Sequence, residues 1–336
     1  LHRLIRRQRQ MCIRDSIMSE KILSISVAAY NVEKYLVKLF EILNISPEVN
    51  QKIEVIIVND GSTDKTLEIA NRFKSQYPQS VVIIDKKNGG YGSTINSSIA
   101  IAKGKYFKIL DGDDWFNKNT LEDFLEFLEN EEVDLVISPY EMHFENNNEI
   151  VLMDEHISES LTSPLLMHEI CIKTALFRNS ELRISEKCFY TDTEFAIIAM
   201  LLSKTFAKYN KPVYCYRIGR EGQSISFESR KKHCNDSEHV VFKCINLIQN
   251  HNAKDAQMYL LIKKQIVKTA VFHFNTLLLF EKSKKSVSAL KTYDRKLKST
   301  NKEIYLLMSK TYNHVKVLRM TDYHMYNIIK KRKNLI

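Results

Sequence analysis

The stretch KILDGDDWF, residues 108–116, reads as the end of a β-strand followed by three carboxylates and the only tryptophan of the chain. Carboxylates this close repel one another, so a cation bound among them would explain why they occur together. Asp111 and Asp113 can reach a common metal ion, and Asp114 can either join them or hold them through hydrogen bonds. Because hard cations prefer oxygen ligands, we expect Mg²⁺ or Mn²⁺. The alternative is an acidic turn that caps the next helix.

Around this stretch, short β-rich runs alternate with helical patterns. The runs are ILSISVAAY (22–30), IEVIIVN (53–59), VVIID (81–85), KYFKIL (105–110) and VDLVISPY (133–140). The patterns between them include VEKYLVKLFEIL (32–43), DKTLEIANRFKSQY (64–77) and NTLEDFLEFLEN (119–130). This alternation predicts an α/β fold, with a mostly parallel sheet flanked by helices and right-handed crossovers.

The polar motifs follow four of these strands, at the edge where such sheets bind ligands. They are YN after the first strand, NDGSTD (59–64) after the second, KNGGYGSTIN (87–96) after the third and DGDD (111–114) after the fourth. Five of the eight glycines lie in these loops, where a positive φ or a close backbone approach is needed. The sequence therefore predicts one ligand site along this edge.

Composition limits the class of protein. With 336 residues and 44% hydrophobic content, the chain can bury one large core, or a core plus a smaller lobe. No apolar run reaches the ~18–20 residues of a membrane span, which predicts a soluble or peripheral protein. The six cysteines form no CxxC pair, which argues against a zinc site and predicts free thiols.

Positive charge is concentrated at the two ends of the chain. Residues 1–17 carry a net charge of +4 and residues 281–336 carry +11, which leaves −5 for residues 18–280. Because the part that holds the motifs is acidic, the sequence argues against a nucleic-acid partner. Residues 1–17 include MCIRDS, which resembles translated adaptor sequence, and we expect them to be a non-native leader. Residues 230–336 show apolar residues at helical spacing, which predicts a basic helical appendage. Its basic end can contact an anionic membrane or a polyanionic acceptor, or be a solvated face.

The motifs SISVAAYN, VIIVNDGSTD, KNGGYGSTIN and LDGDDW, in this order and spacing, resemble the inverting family 2 glycosyltransferases, which have the GT-A fold. The resemblance covers roughly residues 22–226 and implies a catalytic domain at 18–229. The chain departs from the family pattern at Ala28, where proline is common, at Asn59, where an aspartate is usual, and near Ile95, where an arginine is usual. These departures leave the nucleotide open, with a UDP-sugar favoured.

The resemblance implies a nucleotide-sugar donor and a role for each loop. Tyr30 and Asn31 would flank the nucleoside, Asp60 would accept hydrogen bonds from the base or ribose, and Gly90 would lie against the donor. Asp111, with Asp113 and Asp114, would hold Mg²⁺ or Mn²⁺ on the diphosphate, where the cation stabilises the leaving anion. For Asp60, the residue-based alternative is an Asx turn that begins the next helix. Tyr30 could equally be a core aromatic.

An inverting transfer also needs a general base for the acceptor hydroxyl. In CFYTDTEFAIIAM (188–200), the resemblance gives that role to Asp192, although Thr191 or Asp192 could simply cap the helix that follows. In PVYCYRIGREGQSIS (212–226), a strand is followed by a polar loop. Its Arg217, Arg220 and Ser224 are suited to bind diphosphate or acceptor oxygens, unless the loop is only a solvated turn.

Three functions follow from these patterns. The first is a bacterial glycosyltransferase acting on a saccharide or lipid-linked acceptor in cell-surface polysaccharide synthesis, either cytoplasmic or peripheral at the inner face of the membrane. The second is a sugar nucleotidyltransferase, which usually has a glycine- and arginine-rich loop where this chain has AAYNVEKY (28–35). The third is a non-catalytic module of an envelope assembly complex. The retained carboxylates favour an enzyme.

Overall fold

A computed structural model describes residues 21–158, 161, 163–219, 226–281 and 283–332. The expected leader, residues 1–17, lies outside these ranges. The strands are β1 (Leu23–Ala29), β2 (Ile53–Asp60), β3 (Val81–Lys86), β4 (Tyr106–Asp111), β5 (Trp115–Phe116), β6 (Leu135–Ile137), β7 (Tyr140–Phe144), β8 (Ile150–Met153), β9 (Ile170–Lys173), β10 (Phe206–Lys208) and β11 (Tyr214–Ile218).

The helices fall into two groups along the chain. The first group is α1 (Leu36–Leu39), α2 (Pro47–Lys52), α3 (Thr66–Gln76), α4 (Tyr91–Ile101), α5 (Lys118–Asn130), α6 (Glu155–Ser158), α7 (Thr174–Arg178) and α8 (Asp192–Leu202). The C-terminal group is α9 (Phe227–Lys232), α10 (Cys234–Asn250), α11 (Ala256–Leu278), α12 (Lys284–Thr300), α13 (Lys302–Thr311), α14 (Asn313–Met320) and α15 (Tyr326–Arg332).

The main sheet has the order β10-β6-β9-β4-β1-β2-β3. Strands β1, β2, β3 and β4 run parallel, as do β6 and β10, whereas β9 is antiparallel to both of its neighbours. Strand β2 is buried along its whole length, as expected for a central strand covered by helices on both faces. The predicted α/β fold with a mostly parallel sheet is therefore confirmed, and the ends of β1, β2, β3 and β4 share one edge.

A second sheet, with the order β5-β11-β7-β8, is a feature that the strand pattern did not predict. The run VDLVISPY divides at Pro139, so that β6 ends at Ile137 in the main sheet and β7 begins at Tyr140 in the second. Proline cannot donate to a strand ladder, and here it lies where the chain passes from one sheet to the other. Strand β5, directly after the acidic turn, pairs with β11.

The expected helix over residues 32–43 is confirmed only from Leu36 onwards, and it is not a regular α-helix. The structure has only the short helix α1 and a 3-10 helix from Phe40 to Asn44. The segment begins differently because Val32 N donates to Thr66 Oγ1 at 2.9 Å and Glu33 N donates to Asp64 Oδ2 at 3.1 Å. These bonds attach its first residues to the loop after β2, so they form a turn rather than a helical start.

The C-terminal helices are present, as expected, and they pack on the sheet domain. Helix α8 lies against α10 and α11, and the buried side chains of both regions form one continuous hydrophobic core. Phe195 and Ile198 of α8 and Ile262 and Ile266 of α11 are all fully buried. No helix within the described ranges is both long enough and apolar enough to cross a membrane.

Candidate active site

The acidic turn sits at the end of β4, and its three aspartates have different surroundings. Asp111 Oδ1 accepts a hydrogen bond from the Tyr91 hydroxyl at 2.6 Å, and Asp111 and Asp113 both remain partly exposed. Asp114 is buried and accepts hydrogen bonds from the Tyr214 hydroxyl at 2.5 Å and from Arg217 N at 2.8 Å. Of the two roles expected for Asp114, the geometry supports the one in which it holds the turn.

Gly112 shows why this turn needs glycine. Its N–H donates to the carbonyl of Ala28 at 3.1 Å. A Cβ at this position would lie 2.6 Å from that same carbonyl oxygen, far inside contact distance. The close approach joins the acidic turn to the end of β1, where Tyr30 and Asn31 follow.

The residues of the turn fit a hard divalent cation. Burial, together with the charges of Asp111 and Asp113, raises the pKa of Asp114 well above its usual value. Burial is the larger cause, and a cation bound by the partly exposed Asp111 and Asp113 would relieve the part that comes from their negative charges. Carboxylate oxygens are also the ligands that Mg²⁺ and Mn²⁺ prefer.

Asp60, at the end of β2, holds the glycine loop. The side chain is buried, and its carboxylate accepts hydrogen bonds from Gly89 N at 2.9 Å, Gly90 N at 2.8 Å and Lys86 Nζ at 2.9 Å. Gly90 has φ +81°, and a Cβ there would meet Lys187 N at 3.0 Å. The structure thus gives Asp60 a positioning role; its expected contact with base or ribose stays a prediction.

Tyr30 and Asn31 lie at the same edge. Tyr30 is 53% exposed, so it is not a core aromatic. Asn31 adopts φ +53° and accepts a hydrogen bond from Thr63 N at 2.8 Å, while its own N–H donates to Ser62 Oγ at 3.0 Å. The end of β1 is therefore fixed to the turn after β2, and Tyr30 is left accessible to a ligand.

Asp192 is the first residue of helix α8, and its charge acts on Tyr91, the residue that bonds Asp111. Burial, the Asp111 carboxylate and the Asp192 carboxylate all contribute to the raised pKa of Tyr91, whose hydroxyl bonds Asp111. Burial also raises the pKa of Asp192 itself, while hydrogen bonds from nearby backbone N–H groups and the charge of Lys268 on α11 oppose this rise. The carboxylates of Asp111 and Asp192 thus both act electrostatically on Tyr91.

The segment before Asp192 connects this residue to the glycine loop. Lys187 and Tyr190 both have positive φ, 51° and 67°, which is uncommon for residues other than glycine. Lys187 N donates to the Gly89 carbonyl at 2.6 Å, and Glu194, fully buried, accepts from Ser185 N at 2.8 Å. These constraints fix where the chain enters α8.

Among the polar residues predicted after β11, Arg217 is described and Arg220 and Ser224 lie outside the described residues. Arg217 Nε donates to the Asp113 carbonyl at 2.8 Å, and its guanidinium pairs with Glu145 at 2.5 Å. Arg217 therefore stabilises the backbone of the acidic turn at Asp113. Its expected contact with diphosphate stays a prediction.

Sequence reasoning missed three residues that shape the site. Lys86 pairs with Asp60, Tyr91 positions Asp111, and Tyr214 donates to Asp114 while accepting from Asp111 N at 3.2 Å. Tyr91 and Tyr214 both lie in stretches that the sequence had singled out. A signal was available there, since a tyrosine hydroxyl that becomes buried needs a hydrogen-bond partner and the carboxylates of the acidic turn are acceptors.

The fold is that of the GT-A glycosyltransferases. The chain matches the crystal structure of Staphylococcus aureus TarS 1–349 in complex with UDP-GlcNAc with a TM-score of 0.66 at 20% identity, over 93% of this chain and 92% of that one. It also matches the mannosyltransferase PcManGT from Pyrobaculum calidifontis, in complex with GDP-Man and Mn²⁺, with a TM-score of 0.53 at 14% identity, over 93% and 86% of the two chains.

Residues 24–187, just under half of the chain, match the family model described as glycosyl transferase family 2, so this part of the chain is a family 2 glycosyltransferase domain. It is 27% identical over 214 residues to the poly(ribitol-phosphate) beta-N-acetylglucosaminyltransferase TarS of Staphylococcus aureus, covering 60% of this chain and 36% of that protein. It is 27% identical over 246 residues to the minor teichoic acid biosynthesis protein GgaB of Bacillus subtilis, covering 69% of this chain and 27% of that protein. The chain thus matches about a third of these relatives' lengths.

Proposed function

We propose that this chain transfers a sugar, with inversion, from a UDP-sugar to a hydroxyl group of a cell-surface polysaccharide or its lipid-linked precursor, in a metal-dependent reaction. One observation carries the proposal: the segment that leads into Asp192 is bonded to the glycine loop through Lys187 N and the Gly89 carbonyl at 2.6 Å, and Tyr91, two residues further along, bonds Asp111 of the acidic turn at 2.6 Å. A cation ligand set and a general base are the two elements that such a transfer needs.

In the proposed reaction, Asp192 accepts the proton of the acceptor hydroxyl as its oxygen attacks the anomeric carbon. The bond from that carbon to the diphosphate oxygen breaks on the opposite face, and the nucleoside diphosphate leaves with the bonding electron pair. A divalent cation held by Asp111 and Asp113 would supply electrostatic stabilisation of the leaving diphosphate. Tyr91 orients Asp111 through its 2.6 Å hydrogen bond, and Asp114 keeps the turn in place.

The relatives support the choice of donor and acceptor. TarS has been solved with UDP-GlcNAc, and the names of TarS and GgaB refer to poly(ribitol-phosphate) and to teichoic acid synthesis.

Nucleotide-sugars are cytoplasmic metabolites, so we place the reaction at the cytoplasmic face of the membrane. Exposed Lys331 and Arg332 support contact with anionic lipid there, whereas Lys330 donates to the Phe280 carbonyl at 3.0 Å and acts as a helix cap.

The decisive experiment replaces Asp192 with Asn in the full chain, assayed with UDP-sugars and Mn²⁺. Asn keeps the size of the side chain but cannot take the proton, so we expect turnover to fall ~10²–10⁴-fold, with donor affinity within a few-fold of wild type. The product should have the anomeric configuration opposite to that of the donor. Asp123→Asn, which removes an exposed carboxylate of α5, is the matched control and should keep full turnover.

Two results would contradict this proposal. If Asp192→Asn retains more than about a tenth of wild-type turnover, Asp192 is not the base. If product NMR shows that the configuration is retained, the mechanism is not inverting. Formation of a nucleotide-sugar from a nucleoside triphosphate and a sugar 1-phosphate, with release of diphosphate, would instead identify a nucleotidyltransferase.

A further inference from the structure

We propose that Glu141, His143 and Cys215 form a second metal site, selective for a thiophilic divalent cation such as Zn²⁺ and separate from the acidic turn. The three residues lie on the parallel pair β7 and β11, where Cys215 is opposite Glu141 and Arg217 is opposite His143. Residues 141 and 143 are two apart on one strand, so their side chains lie on the same face of the sheet. The register then places Cys215 beside them.

The donor atoms already have the spacing that a shared ion needs. His143 Nε2 lies 3.0 Å from Glu141 Oε2, the Cys215 thiol donates to that same oxygen at 3.5 Å, and all three donor atoms lie within 4.8 Å of one another. Tetrahedral Zn²⁺, with bonds of ~2.0–2.3 Å, separates its ligand atoms by roughly 3.2–3.8 Å. Small side-chain adjustments would therefore let one ion replace the present hydrogen bonds.

The cluster also has room for a fourth ligand. A cleft of about 590 Å³ opens beside His143, with Trp115, Lys38 and Asn148 among its lining residues. The Trp115 ring meets the His143 imidazole edge-on, with 4.7 Å between ring centroids, and so limits its rotation. Water from this cleft can complete the coordination. Within the described ranges, no other three His, Cys, Asp or Glu side chains bring their donor atoms this close.

The site uses the face of β11 opposite to the one whose Tyr214 bonds Asp114, and Arg217, on the same face as Cys215, connects it to the backbone of the acidic turn. Tyr214 and Tyr216 point to one face of β11. There the Tyr214 hydroxyl donates to Asp114, and the Tyr216 ring stacks on His168 with 4.6 Å between the ring centroids. Cys215 and Arg217 alternate with them and point to the other face. Binding would link β7 to β11, the strand whose Arg217 braces Asp113 and Asp114.

The donor set determines which cation binds. A thiolate with an imidazole and a carboxylate favours Zn²⁺ or Co²⁺ over Mg²⁺. As the sulfur–metal bond forms, the Cys215 thiol releases its proton to water and the imidazole stays neutral. The absence of a CxxC pair, from which the sequence argued against zinc, does not bear on this site, because its ligands converge through strand register rather than through spacing along the chain.

Cobalt tests the proposal directly. Titrating Co²⁺ into the reduced full chain should give a thiolate-to-cobalt charge-transfer band that saturates at one equivalent and disappears when Zn²⁺ is added. Cys215→Ser should abolish the band, whereas Cys234→Ser, at another free cysteine, should keep it. Asp113→Ala should also keep it, since the acidic turn offers no sulfur. This readout is independent of transferase activity, so failure of the proposed function would not affect it.

Cys215 is buried, so Cys215→Ser is accepted as informative only if its melting temperature stays close to wild type. His143→Asn provides the second variant, because that side chain is 22% exposed and its loss should leave the fold intact. We expect it to weaken cobalt affinity by more than ~10-fold. Absence of the band in wild type, its persistence in folded Cys215→Ser, or unchanged affinity in His143→Asn would overturn the proposal.

Discussion

Replacing Asp60 with Asn should destabilise the protein and weaken donor binding together, because one carboxylate holds the whole glycine loop. Its two oxygens accept from Gly89 N, Gly90 N and Lys86 Nζ at 2.8–2.9 Å. Asn keeps one acceptor oxygen but turns its amide NH₂ towards a backbone donor. At least one loop N–H would then lose its partner, and the remaining bonds would lose their charge assistance.

The magnitude follows from these contacts. Hydrogen bonds to a charged group are worth ~1.5–3 kcal/mol each, so the complete loss of two would cost roughly 3–6 kcal/mol, and their weakening less. The Lys86 side chain is 24% exposed, and solvent screening reduces its share. We therefore expect the free energy of unfolding to fall by about 2–4 kcal/mol. That is a large part of the ~5–15 kcal/mol typical of folded proteins.

The assay is urea unfolding followed by the fluorescence of Trp115, the single tryptophan, which lies beside the acidic turn. Lys86→Met is the matched control, because it removes the cation but leaves the carboxylate its two loop N–H donors. It should cost only ~1 kcal/mol or less. If Asp60→Asn and Lys86→Met destabilise equally, or if Asp60→Asn leaves both stability and donor affinity unchanged, the loop bonds do not have the importance assigned to them.

Three further predictions concern the cation, acid stability and the basic end. Asp113→Ala should abolish metal-dependent transfer while changing stability by no more than ~0.5 kcal/mol; full wild-type activity in EDTA would contradict this. Burial and nearby Lys108 lower the pKa of His168 from 6.5 to about 3. The unfolded chain therefore takes up a proton that the folded chain excludes, and stability should fall as pH drops below 6.5, by ~2 kcal/mol near pH 5. His168→Gln should flatten that slope in urea titrations. Replacing Lys331 and Arg332 with Gln should weaken sedimentation with anionic vesicles at unchanged donor hydrolysis.

The sequence predicted the main sheet because its signals are local. Buried parallel strands are continuous apolar runs, and the polar loops after them mark their carboxyl ends. Lys108, in the opening stretch, shows the limit of that reasoning. It reads as an exposed position, yet it is fully buried and its Nζ donates to the carbonyls of His168 and Ile170 at 2.6 and 3.2 Å. Its partners lie some sixty residues away, His168 in the 3-10 turn before the antiparallel strand β9 and Ile170 at the start of that strand, which no local pattern relates to β4.

The same difference between local signals and long-range contacts explains which part of the site could be predicted from the sequence. Asp111 and Asp113 follow a strand directly, and their position on the sheet edge needed no long-range contact. The partners of Asp114 did need one: Tyr214 and Arg217 come from β11, about a hundred residues later, in the second sheet. Which carboxylate binds a ligand and which braces the turn depends on these distant contacts, so residue type alone left both roles open.

The C-terminal helices are more closely connected to the chemistry than an appendage would be. His233, between α9 and α10, stacks on Phe189 with 3.5 Å between the ring centroids. His239 Nε2, on α10, lies 3.1 Å from Ser185 Oγ. Both contacts fall in the segment whose Lys187 N donates to the Gly89 carbonyl and which leads directly to Asp192, the proposed base. Lys268, from α11, adds a positive charge that opposes the rise in the pKa of Asp192. Since a general base must be ionised to accept a proton, these helices help to set the protonation state on which the proposed transfer depends.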